Sequence, residues 1–202
     1  MSRRYVLTIG LAMLAGAAGL GVNDAKADAI ADTIETCNAC HGEAMLTSDK
    51  TFPNINGQNR TYILNQLSDF KSGRRKSDIM AGIVAELTRP DMQALATHFS
   101  KQPWPTLPAE PVSPETKKAG QAILDTLNCS GCHHEHFAGD TVRPRLAGQN
   151  SDYLVKTMQE FRDKTRHNYI VMSAILNDVS DADLKAVSDY LAAMPAPKAG
   201  KR

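Results

Sequence analysis

The sequence is poor in aromatic residues, which make up 5% of its 202 positions. It also lacks an excess of either charge, because 23 Lys and Arg stand against 22 Asp and Glu. Nucleic-acid-binding proteins typically carry a clustered basic face, so this balance predicts no nucleic-acid partner. No alternating apolar and polar pattern of useful length is present, which argues against β-strands and predicts an all-α fold.

The N-terminus has the features of an export signal. Arg3 and Arg4 precede an uncharged, mostly apolar run from Val6 to Val22, and Ala25-Lys26-Ala27 matches the small-x-small cleavage pattern. The sequence therefore predicts a cleaved signal peptide over residues 1–27 and a periplasmic protein. A retained membrane anchor is the alternative, since the run is marginally long enough to span a bilayer. Cleavage removes three basic residues and one acidic residue, which changes the net charge from +1 to −1.

All four cysteines lie in two copies of one motif, Cys-x-x-Cys-His. The first copy runs from Cys37 to His41, and the second, from Cys129 to His133, follows 92 residues later. The flanking sequence repeats as well, since Pro53-Asn-Ile-Asn-Gly-Gln-Asn59 corresponds to Pro144-Arg-Leu-Ala-Gly-Gln-Asn150. We interpret the chain as a tandem duplication of one small domain.

The duplication predicts domains over residues 28–101 and 116–195, joined by a linker over residues 102–115 and followed by a tail over residues 196–202. The linker carries five prolines, which exclude a helix and favour an extended connector. Helical spacing of apolar residues predicts about four short helices in each domain. Helix starts are indicated by Ser113-Pro114 and by the capping-box pairs Thr88 with Asp91 and Ser180 with Asp183.

Paired cysteines have several possible roles. A structural zinc site with four cysteines usually places its pairs about 15–20 residues apart, whereas 88 residues separate Cys40 from Cys129. A thioredoxin-like thiol pair expects a βαβ context, which this helical sequence does not offer. Simple disulfides remain possible in the periplasm, but they leave the histidine that follows each pair unexplained.

The Cys-x-x-Cys-His motif is the attachment signature of c-type haem. Two thiols add to the two vinyl groups of the porphyrin, and the adjacent histidine coordinates the iron. We therefore expect two haem c groups, which would also supply the large apolar core that such small domains lack. The predicted attachment residues are Cys37, Cys40, Cys129 and Cys132, and the predicted proximal iron ligands are His41 and His133.

The second axial ligand is predicted to be methionine in both domains. Met80 and Met172 each follow the motif histidine by 39 residues, and they are the methionines that superpose across the repeat. Methionine is the usual partner of histidine in carriers of this type. The rivals are His98, which aligns with an aromatic residue, and His167, which has no counterpart in the first copy.

Four further residues are predicted to support the haems. A ligating histidine normally donates its other ring N–H to a carbonyl or carboxylate, and the backbone carbonyls of Pro53 and Pro144 follow the motifs at suitable positions. Gly57 and Gly148 are predicted to allow close backbone approach to the ring, with plain turn residues as the alternative. The basic residues before each methionine indicate a solvated loop, a docking rim or a counter-charge to haem propionates. They are Lys71, Arg74, Arg75, Lys76, Arg162, Lys164 and Arg166.

These residues together resemble a known family. The sequence P-N-I-N-G after C-N-A-C-H, followed by a methionine, is similar to class I cytochromes c, and the duplicated form resembles the di-haem cytochrome c4 family. The resemblance covers about residues 28–193. It implies two cytochrome c folds related by a pseudo-two-fold axis, each with its Cys, Cys, His and Met set. The extra histidines of the second motif, His134 and His136, depart from the family pattern and are interpreted as surface residues.

The resemblance implies a periplasmic electron carrier that takes electrons from a quinol-oxidising complex or a dehydrogenase and passes them to a terminal oxidase. We expect the chain to be a monomer. The first alternative is a tightly bound cytochrome subunit of a periplasmic dehydrogenase, such as a flavocytochrome. The second is a haem enzyme such as a di-haem peroxidase, which would need an open iron. Because a methionine matches in both domains, we expect a carrier without catalysis, whose partners are other redox proteins and membrane respiratory complexes.

Overall fold

A computed structural model describes residues 21–42, 49–104 and 111–195 of the chain, with side chains described from residue 30 onward. The described residues are helical and contain no β-strand, which confirms the predicted all-α class. The α-helices are α1 (Gly21–His41), α2 (Arg60–Lys71), α3 (Asp78–Val84), α4 (Arg89–Lys101), α5 (Pro114–Thr126), α6 (Cys129–His133), α7 (Ser151–Arg162), α8 (Ile170–Leu176) and α9 (Asp181–Ala193).

Helices α1 to α4 form the first half of the structure. Helix α2 packs against α3 and α4, and α4 also contacts α1. The buried apolar cluster between them is small among the described residues, and it consists of Ile63, Leu95, Ala96 and Phe99. Half-buried side chains, including Cys37 of the first motif, pack around it. Val84 and Met92 are buried in this half as well, outside the cluster.

Helices α5 to α9 form the second half. Helix α9 packs against both α5 and α7, and α7 also packs against α8. Its core is larger, with Leu124, Leu184 and Leu191 almost fully buried at the centre. Cys129 and Met172 pack at the edge of this cluster. The two halves therefore share one arrangement of helices, but the second half buries more apolar side chains.

Local capping explains where several helices begin. Thr88 accepts a hydrogen bond from the backbone N–H of Asp91, while the Asp91 carboxylate accepts from Thr88, which completes a capping box at α4. Ser113 and Ser180 accept from the backbone N–H three residues on and begin α5 and α9. These helix starts confirm the capping predictions, because the signals are local to the chain.

The two motifs sit differently on their helices. In the first half, α1 runs without a break through both cysteines to His41. In the second half, Asn128 adopts a left-handed conformation with φ 51° and separates α5 from the short helix α6. The Cys-x-x-Cys-His motif is thus helical in both copies, but only the first continues the preceding helix.

The crossing of α5 and α9 depends on Gly120. A Cβ atom added there would lie 2.6 Å from the carbonyl oxygen of Ala186 and 2.7 Å from Cβ of Tyr190. Because both are near-rigid atoms of α9, we expect Gly120→Ala to separate the helices and to lower the free energy of unfolding by about 1–3 kcal/mol. Urea denaturation followed by circular dichroism measures this loss.

Gly82 offers a matched control for that prediction. It lies within α3, and a Cβ atom added there meets no other heavy atom within 4 Å. Gly82→Ala should therefore be neutral or stabilising by up to about 1 kcal/mol, since alanine is the better helix former. Equal losses in the two variants would contradict a steric role for Gly120.

Several predicted boundaries fall partly or wholly outside the described residues. They include most of the signal peptide, the middle of the linker at residues 105–110 and the tail at residues 196–202. At the start of the linker, Trp104 is buried. None of the helices in the described ranges combines the length and the apolar character needed to cross a membrane.

Candidate haem-binding sites

Each motif presents two unpaired thiols on one helical turn. Cys37 and Cys129 are half-buried against their core clusters, whereas Cys40 and Cys132 are exposed. Residues three apart lie on neighbouring positions of a helix surface, so both thiols of a pair face one side. Burial raises the pKa of Cys37 to about 11 and raises that of Cys129 as well. Two thiols on one side of a helical turn are what covalent attachment to the two vinyl groups of one porphyrin would require.

The structure brings each motif histidine to the proline carbonyl assigned to it from the sequence. Nδ1 of His41 lies 2.9 Å from the carbonyl oxygen of Pro53, and Nδ1 of His133 lies 3.2 Å from that of Pro144. With Nδ1 as the donor, Nε2 is the nitrogen left to coordinate a metal. Burial lowers the pKa of both imidazoles and outweighs the opposing hydrogen bond, so both rings are neutral and suited to bind iron.

The two predicted methionine ligands lie at equivalent places. Met80 is on α3 and Met172 is on α8, and both are half-buried. The backbone N–H of Met80 donates to Ser77 Oγ, which caps α3 at this point. Four of the five exposed large apolar side chains of the described residues are on these two helices. They are Ile79, Ile83, Ile170 and Val171.

The other candidate ligands have different surroundings. His98 is half-buried, with its ring edge-on to Phe99, and His167 is exposed. Met92 and Met158 are buried among core side chains. His134 and His136 are exposed, and His134 Nε2 lies 3.1 Å from the Asp140 carboxylate.

The alternatives to haem find less support in the geometry. All four cysteines are free of disulfide bonds. Within the ranges that the structure describes, no three or more His, Cys, Asp or Glu side chains converge as a metal site would require. Two thiols beside one neutral imidazole, in each half, fit a covalently attached haem better than a zinc ion with four ligands.

The close approaches at the two predicted glycines involve the linker tryptophan. A Cβ atom on Gly57 would lie 2.7 Å from the backbone nitrogen of Trp104, and one on Gly148 would lie 3.0 Å from Trp104 Nε1. Both glycines have positive φ, of 67° and 73°. Their backbone N–H groups donate to the last turns of α4 and α9, at Phe99 and Leu191. Because neither glycine has a side chain, the start of the linker at Trp104 can pack closely against both halves.

A pair of glutamines joins the two halves reciprocally. The Gln149 side chain accepts from the backbone N–H of Asn54 at 2.7 Å and donates to the carbonyl of the same residue at 3.0 Å. The Gln58 side chain does the same to Arg145, at 2.8 and 3.0 Å. The two arrangements are related by the internal repeat, which places a pseudo-two-fold axis between them.

The asparagine after each glutamine adds a second bond across the interface. Nδ2 of Asn150 donates to the carbonyl of Phe52 at 2.6 Å, and Nδ2 of Asn59 donates to the carbonyl of Arg143 at 2.9 Å. We call these four side chains the Gln-Asn clasp, which comprises Gln58, Asn59, Gln149 and Asn150. All four side chains are buried, so water cannot supply their hydrogen bonds. Each bond of the clasp therefore satisfies polar groups that would otherwise be left without a partner.

Two arginines are buried at the same interface. Arg75 Nη1 and Arg166 Nη2 both donate to Gln66 Oε1 at 2.8 Å, and Arg75 Nη2 donates to the Tyr153 hydroxyl at 3.0 Å. Burial raises the pKa of Tyr153, but the charges of both arginines outweigh it and lower that pKa to about 7. Each guanidinium also covers an aromatic ring of its own half, Phe70 or Phe161.

One buried donor of this network fits a haem carboxylate. Arg166 Nη1 is buried and has no hydrogen-bond partner among the described residues. A buried guanidinium N–H is costly when unpaired, and a carboxylate is its best acceptor. Haem propionates carry such carboxylates. The donor set of thiols, imidazoles and this arginine therefore fits haem.

Several of these residues had no assigned role in the sequence. The clasp was visible only as Gly-Gln-Asn, which is identical in both copies while the preceding residues differ. This identity beside differing residues is the signal that could have indicated an equivalent structural role for the Gln and Asn of both copies. The burial of Arg75 and Arg166, but not of the other basic residues before the methionines, had no comparable signal.

Comparison with known proteins agrees with this geometry. The family model described as cytochrome c matches residues 117–195. Cytochrome c4 of Pseudomonas aeruginosa is 32% identical over 196 residues, covering 92% of this chain and 94% of the relative. The chain belongs to the cytochrome c4 family. The crystal structure of reduced recombinant cytochrome c4 from Pseudomonas stutzeri superposes with a TM-score of 0.74 at 28% identity, covering 83% of this chain and 98% of that one.

Membership of the cytochrome c4 family fixes the cofactor and the type of activity. The chain is a di-haem c-type cytochrome and an electron carrier rather than an enzyme. Another relative, named as a thiosulfate dehydrogenase electron acceptor in Stutzerimonas stutzeri, is 32% identical over 167 residues, covering 77% of each chain.

Proposed function

We propose that the chain works in the bacterial periplasm after loss of residues 1–27. It would pass single electrons from a quinol-oxidising complex or a dehydrogenase to a terminal oxidase. The observation that carries the proposal is the duplicated arrangement of two thiols beside a neutral histidine, half-buried at His41 and buried at His133, whose Nδ1 faces a proline carbonyl. A bound haem iron supplies the one-electron Fe(II)/Fe(III) couple.

We assign each iron one histidine and one methionine. His41 and Met80 would bind the first iron, and His133 and Met172 the second. Cys37, Cys40, Cys129 and Cys132 would hold the two porphyrins covalently. Filling both axial positions leaves no coordination site for a substrate, which is what a carrier requires and an enzyme cannot use.

The exposed apolar side chains on α3 and α8 support docking to redox partners. Ile79 and Val171 occupy equivalent positions, and each is 61% exposed. Apolar surface beside a ligand-bearing helix gives a partner a contact that excludes water. Each half thus has its own docking surface, which suits a carrier with separate donor and acceptor.

A spectroscopic experiment tests the ligand assignment. The purified protein is reduced, its haems are counted by the haemochrome assay, and its visible spectrum is recorded with and without carbon monoxide. We expect two haems per chain and no spectral change, because carbon monoxide needs an open iron position. A change at either haem would contradict the assignment and favour a haem enzyme.

The second candidate is a stable subunit of a periplasmic dehydrogenase, which is favoured by the relatives named as thiosulfate dehydrogenase electron acceptors. Gel filtration of periplasmic extract separates the two candidates. A free carrier elutes as a monomer and is oxidised by a terminal oxidase in stopped-flow mixing. Co-elution with a dehydrogenase would replace the carrier proposal with the subunit proposal.

A further inference from the structure

We propose that each domain holds the proximal histidine of the other domain in place through the Gln-Asn clasp. The proposal rests on the haem ligation proposed above and adds a task for the contacts between the domains. The positioning residues are Gln149 and Asn150 for His41, and Gln58 and Asn59 for His133.

The backbone around Pro53 shows the arrangement. The carbonyl of Pro53 faces the histidine, and the residues on both sides of it are bound by the second domain. The Phe52 carbonyl accepts from Asn150 at 2.6 Å, while Asn54 exchanges two hydrogen bonds with Gln149 at 2.7 and 3.0 Å. The carbonyl that faces His41 is thus fixed by hydrogen bonds from the second half to the residues on both sides of it.

The same arrangement holds Pro144. The Arg143 carbonyl accepts from Asn59 at 2.9 Å, and Arg145 exchanges two hydrogen bonds with Gln58 at 2.8 and 3.0 Å. Because proline has no backbone N–H, its own peptide group offers the clasp no donor, and the two neighbouring residues must fix its orientation. In both copies, one Gln and one Asn of the opposite half supply these hydrogen bonds.

Burial makes the clasp rigid. The exposed fractions of Gln58, Asn59, Gln149 and Asn150 are between 3% and 6%, and Asn54 is 2% exposed. Turning either proline peptide would break buried hydrogen bonds that water cannot replace at once. The distance between each histidine Nδ1 and its acceptor is therefore set by the opposite domain.

A change in that distance alters the iron ligand. A histidine that donates Nδ1–H to a well-placed carbonyl is the more basic ligand, and a basic ligand favours the oxidised iron. Loosening the carbonyl should make the iron easier to reduce. The effect should be crossed, since a substitution in one domain acts on the haem of the other.

The test uses the full-length holoprotein with Gln149→Ala and, separately, Gln58→Ala. We expect Gln149→Ala to shift the reduction equilibrium of the first haem about threefold towards the reduced form, about 28 mV for one electron, and to leave the second haem unchanged. Gln58→Ala should shift the second haem alone. Spectroelectrochemical titration gives the potentials, and paramagnetic NMR of the ligand methionine methyl groups shows which haem is which.

Two further variants test whether the shift arises from the clasp rather than from any loss of an interface hydrogen bond. Tyr153→Phe removes the bond from Arg75 Nη2 to the Tyr153 hydroxyl, which also crosses the interface at 3.0 Å but touches neither proline segment. It should leave the potential of the first haem unchanged. Asn150→Ala removes one bond of the clasp and keeps the Gln149 pair, so it should give a smaller shift of the first haem even where Gln149→Ala folds poorly.

The outcomes separate this proposal from the ligation on which it rests. NMR of the wild-type protein labelled with ¹⁵N-histidine shows whether His41 and His133 bind iron, and if they do not, the proposed function fails first. If they do, a shift confined to the haem of the opposite domain supports the clasp. A shift in the same domain, an equal shift of both haems, or no shift overturns it.

Discussion

Replacing Cys37 and Cys40 together by serine should reduce the haem content from two per chain to one and unfold the first domain. Serine cannot form the thioether bonds, and the first core cluster has only four buried residues in the described part of the chain. A domain of this size draws about 3–5 kcal/mol or less from its own core, so it depends on the apolar contacts that a haem supplies. The haemochrome assay and the helical circular dichroism signal measure both effects.

The matching change in the second motif provides the control. Cys129→Ser with Cys132→Ser should also remove one haem, but the ten-residue core cluster of the second half should retain more helix. A double variant that still carries two covalent haems would show that these cysteines are not the attachment sites. Equal loss of helix in both would contradict the unequal cores.

Replacing Met80 by alanine should open one iron position. The reduced variant is expected to bind carbon monoxide at one of its two haems, whereas the wild-type protein binds none. The potential of that haem should fall, because methionine ligation raises it. Carbon monoxide titration followed by visible spectroscopy gives the number of binding sites per chain.

Met172→Ala should give the same result at the second haem. A chain that carries both substitutions should bind two equivalents of carbon monoxide. Met92→Leu is the matched control, since Met92 is buried in the first half and aligns with no predicted ligand. It should bind no carbon monoxide and should cost less than about 1.5 kcal/mol of stability. Carbon monoxide binding by Met92→Leu, and none by Met80→Ala, would exchange the roles of the two methionines.

The helices could be predicted because their signals are local. Ser113-Pro114 begins α5 and the Thr88 capping box begins α4, as their residue types require. The end of α2 is local as well, since Gly73 just after it has φ 73°, a conformation that favours glycine. Such signals act over one turn, so they need no knowledge of the fold.

The interface could not be predicted in the same way. Gln58 and Arg145 are 87 residues apart, and no local feature of either segment predicts a contact with the other. The seven basic residues before the methionines look alike in the sequence, yet Arg75 and Arg166 are buried while Arg74 and Lys76 are exposed. Burial depends on how the two halves meet, which neither half specifies alone.

The sequence by itself determined the helical class, the duplication, the chemistry of the two Cys-x-x-Cys-His motifs and the pairing of each histidine with a proline twelve or eleven residues later. All of these follow from residue types at short spacing. Only the tertiary structure decided that the backbone beside each proline is held by the other domain, and that two arginines share Gln66 between the halves. The contacts of this set that cross between the halves join residues 84 to 100 positions apart, and packing alone brings such residues together.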